Sequence, residues 1–208
     1  MKDVRASQRM LEKTTSLLNR LDINYYVDSG TLLGIIRDKA LIPTDHDIDI
    51  RILPNEAPDT QIPNLVKGLW EIGYTLIQQN PGIPQQLLCS DRATLLDLKF
   101  TQCSRKFLWY AVESPPQEDN DWRVHVFPLR FFEKSAEVEF DGRKYPAPSP
   151  VKEYLIYHYG ESWEEFKTGE NAKELTDASW DYFHNPHCSK SLEELTEMLK
   201  EERNATVS

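Results

Sequence analysis

The run Asp47-Ile48-Asp49-Ile50-Arg51-Ile52 constrains the fold more than any other stretch of the chain. Charged and aliphatic residues alternate with a period of two, the pattern of a strand with one buried face. The aliphatic face must be covered, so this strand belongs to a sheet packed against other elements. The opposite face collects Asp47 and Asp49, whose α-carbons on a strand lie roughly 6.5 Å apart. Asp45 precedes them by two residues. Like charges this close repel, and a buried carboxylate is costly without a partner. A cation is expected among them.

The flanking residues place this strand within a mixed architecture. Upstream, Val4, Met10, Leu11, Leu17, Leu18 and Leu21 recur at helical spacing, and "INYYV" reads as a short strand. Gly30 permits a tight turn into an apolar helix, "TLLGIIRD", and Pro43 stops it. Downstream, "PNLVKGLWEIG" is helical with Gly73 as its cap, and "YTLIQQ" is a strand. "ATLLDLKF" and "KFLWYAV" read as neighbouring strands joined by a turn around Gln102 to Arg105, and "ESPPQEDND" as an acidic surface loop. "WRVHVFPLRFF" and "AEVEFDGRKYPAP" are further strands, the second turning at Asp141-Gly142. From Pro150 the pattern is helical: "PVKEYLIYHYG", "ESWEEFKTG", and a last helix opened by a Ser191/Glu194 capping box. The expected fold class is α/β (α+β): a mixed β-sheet flanked by helices, with a helical C-terminal part. One domain is expected over 1–208, with a core at about 23–163 and C-terminal helices over 164–208.

A net charge of -10 argues against a partner that is nucleic acid, because phosphate neutralisation needs the opposite sign. No apolar run approaches membrane-spanning length, and the N-terminal stretch lacks the apolar core of a signal peptide. Cys89, Cys103 and Cys188 show no paired spacing, which suits a reducing compartment. The expected location is cytoplasmic.

Convergent carboxylates suit a hard divalent cation, Mg²⁺ or Mn²⁺ rather than zinc. Two such ions about 3.5–4 Å apart can clamp a phosphate between nucleophile and leaving group. Asp47 and Asp49 are the expected metal ligands. Asp97, an acid inside the aliphatic strand "TLLDLKF", is the candidate third. Ser29, Gly30 and Thr31 lie where a strand enters a helix, so their backbone N–H groups can cradle an anion. Arg37 offers a forked donor to phosphate, against the alternative of a surface pair with Asp38. Asp45 and His46 are expected only to shape the loop. Lys99 and Arg105 are balanced between meeting a phosphate and ending a solvated strand. "HNPHC", His184 to Cys188, is a weak zinc signal without a second cluster. The aromatic residues of "VKEYLIYHYGESWEEF" read as core packing more readily than as a stacking platform.

The segment "SGTLLGIIRDKALIPTDHDIDI" resembles the signature of the LicD/fukutin-type family of nucleotidyltransferase-fold phosphotransferases. The shared pattern comprises Gly30 to Gly34, Arg37, Ile42-Pro43, and Asp45, Asp47 and Asp49 with Ile50. A closing arrangement of Phe127-Pro128-Leu129, a Gly hairpin, and Leu155, Tyr159, Gly160 and Trp163 extends the resemblance over roughly Ile23 to Trp163. Thr44 stands where the family usually has Trp. His125 stands on a strand that often carries an Asp before Phe-Pro-Leu.

The resemblance implies transfer of a phospho-alcohol, such as phosphocholine or ribitol phosphate, from a CDP-activated donor to a glycan or related hydroxyl acceptor. It further implies that Asp47, Asp49 and Asp97 hold the metals, and that Gly30 and Thr31 meet the donor phosphates. Two rival readings remain open at this point. One is NMP transfer from an NTP to a small molecule or protein, and the other is a non-catalytic nucleotide-binding or regulatory module.

Overall fold

The computed structural model describes residues 4–54, 61–80, 86–112, 123–165 and 187–205 of the 208-residue chain. Its architecture is mixed α+β. Helix α1 (Val4–Arg20) buries Met10, Leu11, Leu17 and Leu18, the positions at helical spacing. It is followed by β1 (Tyr25–Val27), α2 (Ser29–Arg37), β2 (Asp47–Ile52), α3 (Ile62–Glu71), β3 (Thr75–Asn80), β4 (Gln86–Ser90) and β5 (Leu95–Phe100).

These five strands form one sheet in the order β1-β2-β5-β4-β3. The β2–β5 pair is parallel, and the other pairs are antiparallel. Ile48, Ile50, Ile52, Leu96 and Leu98 are buried together in the main core. Alternation then sends Asp47, Asp49 and Arg51 of β2, with Asp97 and Lys99 of β5, to the opposite face. β4 is poorly announced by residue pattern. Leu87 and Cys89 are buried, but Leu88 between them is also apolar, which blurs the period of two.

A second sheet is built from β6 (Gln102–Cys103), β7 (Phe107–Val112) and β8 (Arg123–Pro128). The hairpin of β9 (Ser135–Phe140) and β10 (Arg143–Pro148) turns through Asp141 and Gly142 at φ 51° and 70°, the positive-φ pair of a type I′ turn. Helix α4 (Val151–Tyr159) packs on β10 and ends at Gly160, φ 91°. Strand β11 (Ser189–Ser191) then joins the edge of β8, giving the order β11-β8-β7-β6. Helix α5 (Leu192–Asn204) starts with the expected Ser191/Glu194 capping box.

Two expectations are corrected. β5 and β7 are not sheet neighbours: the chain leaves the first sheet at Thr101, whose N–H and hydroxyl both donate to the Ile52 carbonyl, at 3.2 and 2.8 Å. That anchor ends β5 and lets the short β6 begin a separate sheet. The C-terminal part is also not wholly helical, because β11 returns as a strand to pair with β8. Of the helix expected over "ESWEEFKTG", Trp163–Glu165 forms a single 3-10 turn, and residues from 166 lie outside the described set, as does the loop "ESPPQEDND".

The two sheets meet around a buried ion pair. Arg51 Nη2 lies 2.5 Å from Asp28 Oδ2 with both side chains fully buried. Tyr154 of α4 donates its hydroxyl to the other Asp28 oxygen and accepts from Arg51 at 3.0 Å. The guanidinium also sits 4.7 Å from the Tyr110 ring centre and 4.5 Å from that of Phe127. Burial is the largest influence on the Asp28 carboxyl and would raise it, but Arg51, His158, Lys99 and the Tyr154 hydroxyl together outweigh it and hold the group well below the usual carboxylate range. Among the described residues, no helix is long and apolar enough to cross a membrane.

Candidate active site

β2 carries its charged residues past an exposed end and a covered one. Arg51 is locked under the second sheet, while Asp47, at the start of the strand, remains partly exposed. The acids gather at this open end. Carboxylate oxygens of Asp45, Asp47 and Asp49 all lie within 4.8 Å of one another. Asp45 is therefore a member of the cluster and not only a loop former. Its spacing of two from Asp47 was the available signal, since that period continues the same face.

The neighbouring strand completes the arrangement. Parallel pairing puts Asp97 directly opposite Asp49. Gln86 of β4 donates to Asp97 Oδ1 at 2.8 Å. Lys99, two residues after Asp97 and thus on its face, places its ammonium between the acids: 2.5 Å from Asp49 Oδ1 and 3.5 Å from Asp97 Oδ2. The expected cation is in part the protein's own. Lys99 is not a solvated strand end, and the period of two from Asp97 identifies its face.

α2 presents its N-terminus to the same acids. The Gly30 N–H donates to Asp49 Oδ2 at 3.1 Å. The Thr31 hydroxyl accepts from the Asp49 N–H at 2.9 Å, and Ser29 Oγ accepts from Lys99 Nζ at 3.2 Å. Ser29 adopts φ 44°, in the left-handed region that non-glycine residues seldom occupy. The three residues expected to cradle an anion are thus bonded directly to the acid cluster or to Lys99. Glycine at 30 leaves room for Asp45: a Cβ there would stand 2.1 Å from Asp45 Oδ2 and would displace that side chain from the cluster.

Arg37 is placed differently. It ends α2, about 10 Å along the axis from Gly30. Both arms of its fork are engaged by Asp38, Nε to Oδ1 and Nη2 to Oδ2, each at 2.7 Å.

The electrostatics follow from burial first and from crowding second. Burial is the largest influence on Asp47, and hydrogen bonding and repulsion from Asp45 add to it, pushing the carboxyl up to about 7. Asp49 is pushed up to about 7 as well, by burial and by the charges of Asp47 and Asp97, against the pull of Lys99. Three clustered oxygen donors with a fourth acid opposite form a donor set that fits a hard divalent ion, in ligand type and in charge.

The comparisons with known proteins follow the same region. Residues 22–150 match the family model described as LicD/FKTN/FKRP, nucleotidyltransferase domain. Uncharacterized protein RT0683 of Rickettsia typhi (strain ATCC VR-144 / Wilmington) is 31% identical over 146 residues, 70% of this chain and 44% of that protein. Uncharacterized protein RP689 of Rickettsia prowazekii (strain Madrid E) is 32% identical over 68 residues, 33% of this chain and 25% of that protein. The matches thus span less than half the length of these curated relatives. The solution structure of the antibiotic-resistance factor ANT(2'')-Ia aligns with a TM-score of 0.48 at 14% identity, over 98% of this chain and 96% of that one. The STING-associated CdnE c-di-GMP synthase from Capnocytophaga granulosa aligns with a TM-score of 0.34 at 10% identity, over 77% and 49%. These scores express a loose likeness of overall shape and nothing finer.

Proposed function

This chain belongs to the LicD/FKTN/FKRP family, and we propose that it transfers a phospho-alcohol from a CDP-activated donor to a glycan or related hydroxyl acceptor. The observation that carries the proposal is the facing of Asp49 and Asp97 across the β2–β5 pair, with Lys99 between them and the α2 N-terminus alongside. In the reaction, the acceptor oxygen attacks the phosphorus that bears the donor alcohol. The bond from that phosphorus to the CMP oxygen breaks, CMP departs with the electron pair, and the acceptor proton passes to a carboxylate of the cluster.

Each residue has a part suited to its position. Asp45, Asp47 and Asp49, with Asp97 opposite, would hold Mg²⁺ or Mn²⁺. Such an ion supplies Lewis-acid stabilisation of charge on the transferring phosphoryl group and the leaving nucleotide. Thr31 and Gly30 fix Asp49 through its backbone and its carboxylate, so the acid needs no reorganisation when substrate arrives. Lys99 keeps Asp49 and Asp97 from repelling one another and brings positive charge toward the donor phosphates. The α2 N-terminus adds a favourable field for an anion at the same place.

The test is thermal stabilisation by a panel of CDP-alcohols and NTPs in saturating Mg²⁺ or Mn²⁺, followed by product analysis with the ligands that bind. Stabilisation by CDP-alcohols with release of CMP is the expected result. Stabilisation by NTPs with release of pyrophosphate would replace the proposal with NMP transfer. No response to either class would overturn both. As a control on the site, Asp49→Ala and Asp97→Asn should each lower turnover by about 100-fold or more.

A further inference from the structure

A second group of ligand-type side chains lies outside the acid cluster, within the second sheet. His125 is on β8, His158 is in the last turn of α4, and Cys188 directly precedes β11. One nitrogen of each imidazole and the Cys188 sulfur all lie within 4.8 Å of one another. The three residues are buried, at 1%, 0% and 0% exposure. From these positions we infer that His125, His158 and Cys188 form a second metal site, selective for a borderline or soft ion such as Zn²⁺ and independent of the acid cluster.

Topology builds this grouping from three distant parts of the chain. β11 pairs with β8 so that Ser189 faces His125, and the Val126 N–H donates to the Cys188 carbonyl at 2.8 Å. That fixes Cys188 beside His125. Helix α4 supplies His158, whose ring centre is 5.8 Å from that of His125 at an interplanar angle of 88°. Ligand atoms around a tetrahedral zinc, with bonds of about 2.0–2.3 Å, are roughly 3.4–3.8 Å apart. Closing the present group onto an ion therefore takes side-chain shifts of about 1 Å or less.

The surroundings agree with ligation. The Tyr110 hydroxyl lies 3.1 Å from His125 Nδ1, a contact that would orient the ring with Nε2 toward the group, as an outer partner of a metal-bound histidine does. Sulfur and imidazole nitrogen favour Zn²⁺ over the hard ions suited to the carboxylates. Three ligands among the described residues leave one position for a further donor. The weak zinc signal at "HNPHC" is thereby reassigned: Cys188 contributes, with partners 63 and 30 residues upstream in sequence, while His187 is exposed.

Cobalt(II) substitution gives a direct test, because only a thiolate-bound cobalt produces the near-ultraviolet sulfur-to-metal charge-transfer band. The reduced protein, stripped by chelator and titrated with Co²⁺ and then Zn²⁺, should develop the band at about one equivalent and lose it as zinc displaces cobalt. Cys188→Ala should abolish the band while circular dichroism shows the fold intact. His125→Gln should weaken cobalt binding by at least about tenfold. If Cys188→Ala does not fold, the His125→Gln titration decides the matter. No thiolate band in the wild-type protein overturns the inference. So does a band that survives Cys188→Ala, since it would arise from Cys89 or Cys103. Mg²⁺ at the acid cluster produces no such signal, so the outcome is separate from that of the proposed transferase function.

Discussion

Lys99 Nζ and Asp49 Oδ1 meet at 2.5 Å across two parallel strands, and the same ammonium lies 3.5 Å from Asp97. The acid cluster is therefore partly neutralised from within. A divalent ion arriving there joins a site that already contains a positive charge. In the proposed reaction this charge would lower the ion's affinity and would leave Lys99 available to a donor phosphate.

Lys99→Met should expose that compensation. In chelator the variant should melt below the wild type, because the acids lose their internal cation. On addition of Mn²⁺ its melting temperature should rise by more than the wild type's, and its Mn²⁺ affinity should increase by about tenfold, as expected for one removed like charge nearby. Differential scanning calorimetry with and without Mn²⁺ measures both. An unchanged metal increment would show that Lys99 does not compete with the ion.

The raised carboxyls predict the pH dependence of the metal-free protein. Asp47 and Asp49 have folded values of about 7, above the ordinary carboxylate value of 3.8. The folded state therefore binds protons more tightly than the unfolded state between those limits. Their stabilising protonation is complete below about pH 4 and is lost as pH rises through about 7. Denaturant unfolding in chelator should show stability falling over that window, with a shallower fall in Asp47→Asn and a reduced fall in saturating Mg²⁺. A curve that rises from pH 4 to 7 in the metal-free wild type, with no steeper rise in Asp47→Asn, contradicts the assignment.

Gly30 and Gly34 should respond differently to alanine. At Gly30 the new Cβ meets Asp45 Oδ2 at 2.1 Å, the tip of a side chain that can swing away. At Gly34 it meets the Ala40 carbonyl oxygen at 2.6 Å, a backbone atom that cannot. Gly30→Ala should thus fold with little loss of stability but displace Asp45 and reduce turnover. Gly34→Ala should lose about 1–3 kcal/mol of stability, as overpacked positions do. Equal stability losses in the two variants would show that the Asp45 side chain is held as rigidly as backbone.

The Arg51–Asp28 pair should be costly to break from one side only. Asp28→Asn leaves a buried guanidinium without its counter-charge and should destabilise by about 3–5 kcal/mol. The double substitution Asp28→Asn/Arg51→Met removes both charges and should recover part of that loss, since the methionine can pack against the rings of Tyr110 and Phe127. Chemical denaturation of both variants is the check. A double variant less stable than Asp28→Asn would mean that Arg51 contributes more through ring packing than through charge.

What the sequence determined by itself was local and periodic. The alternation in β2 placed Ile48 and Ile50 in the core and Asp47 and Asp49 on one face. The positions of Gly30, Pro43, Asp141-Gly142 and the Ser191/Glu194 box marked where elements start, stop and turn, because backbone freedom and capping are properties of a few adjacent residues. Asp97 was identifiable as an acid in an aliphatic strand, yet only parallel pairing put it opposite Asp49. The tertiary structure alone decided which charges meet. Lys99 and Asp49 are 50 residues apart, and Arg51 finds Asp28 and Tyr154 because the second sheet and α4 close over one end of β2. It also separated β5 from β7 at Thr101 and gathered His125, His158 and Cys188 through the return of β11. Periodicity fixes the face a side chain occupies, but long-range strand pairing and packing fix what stands across from it.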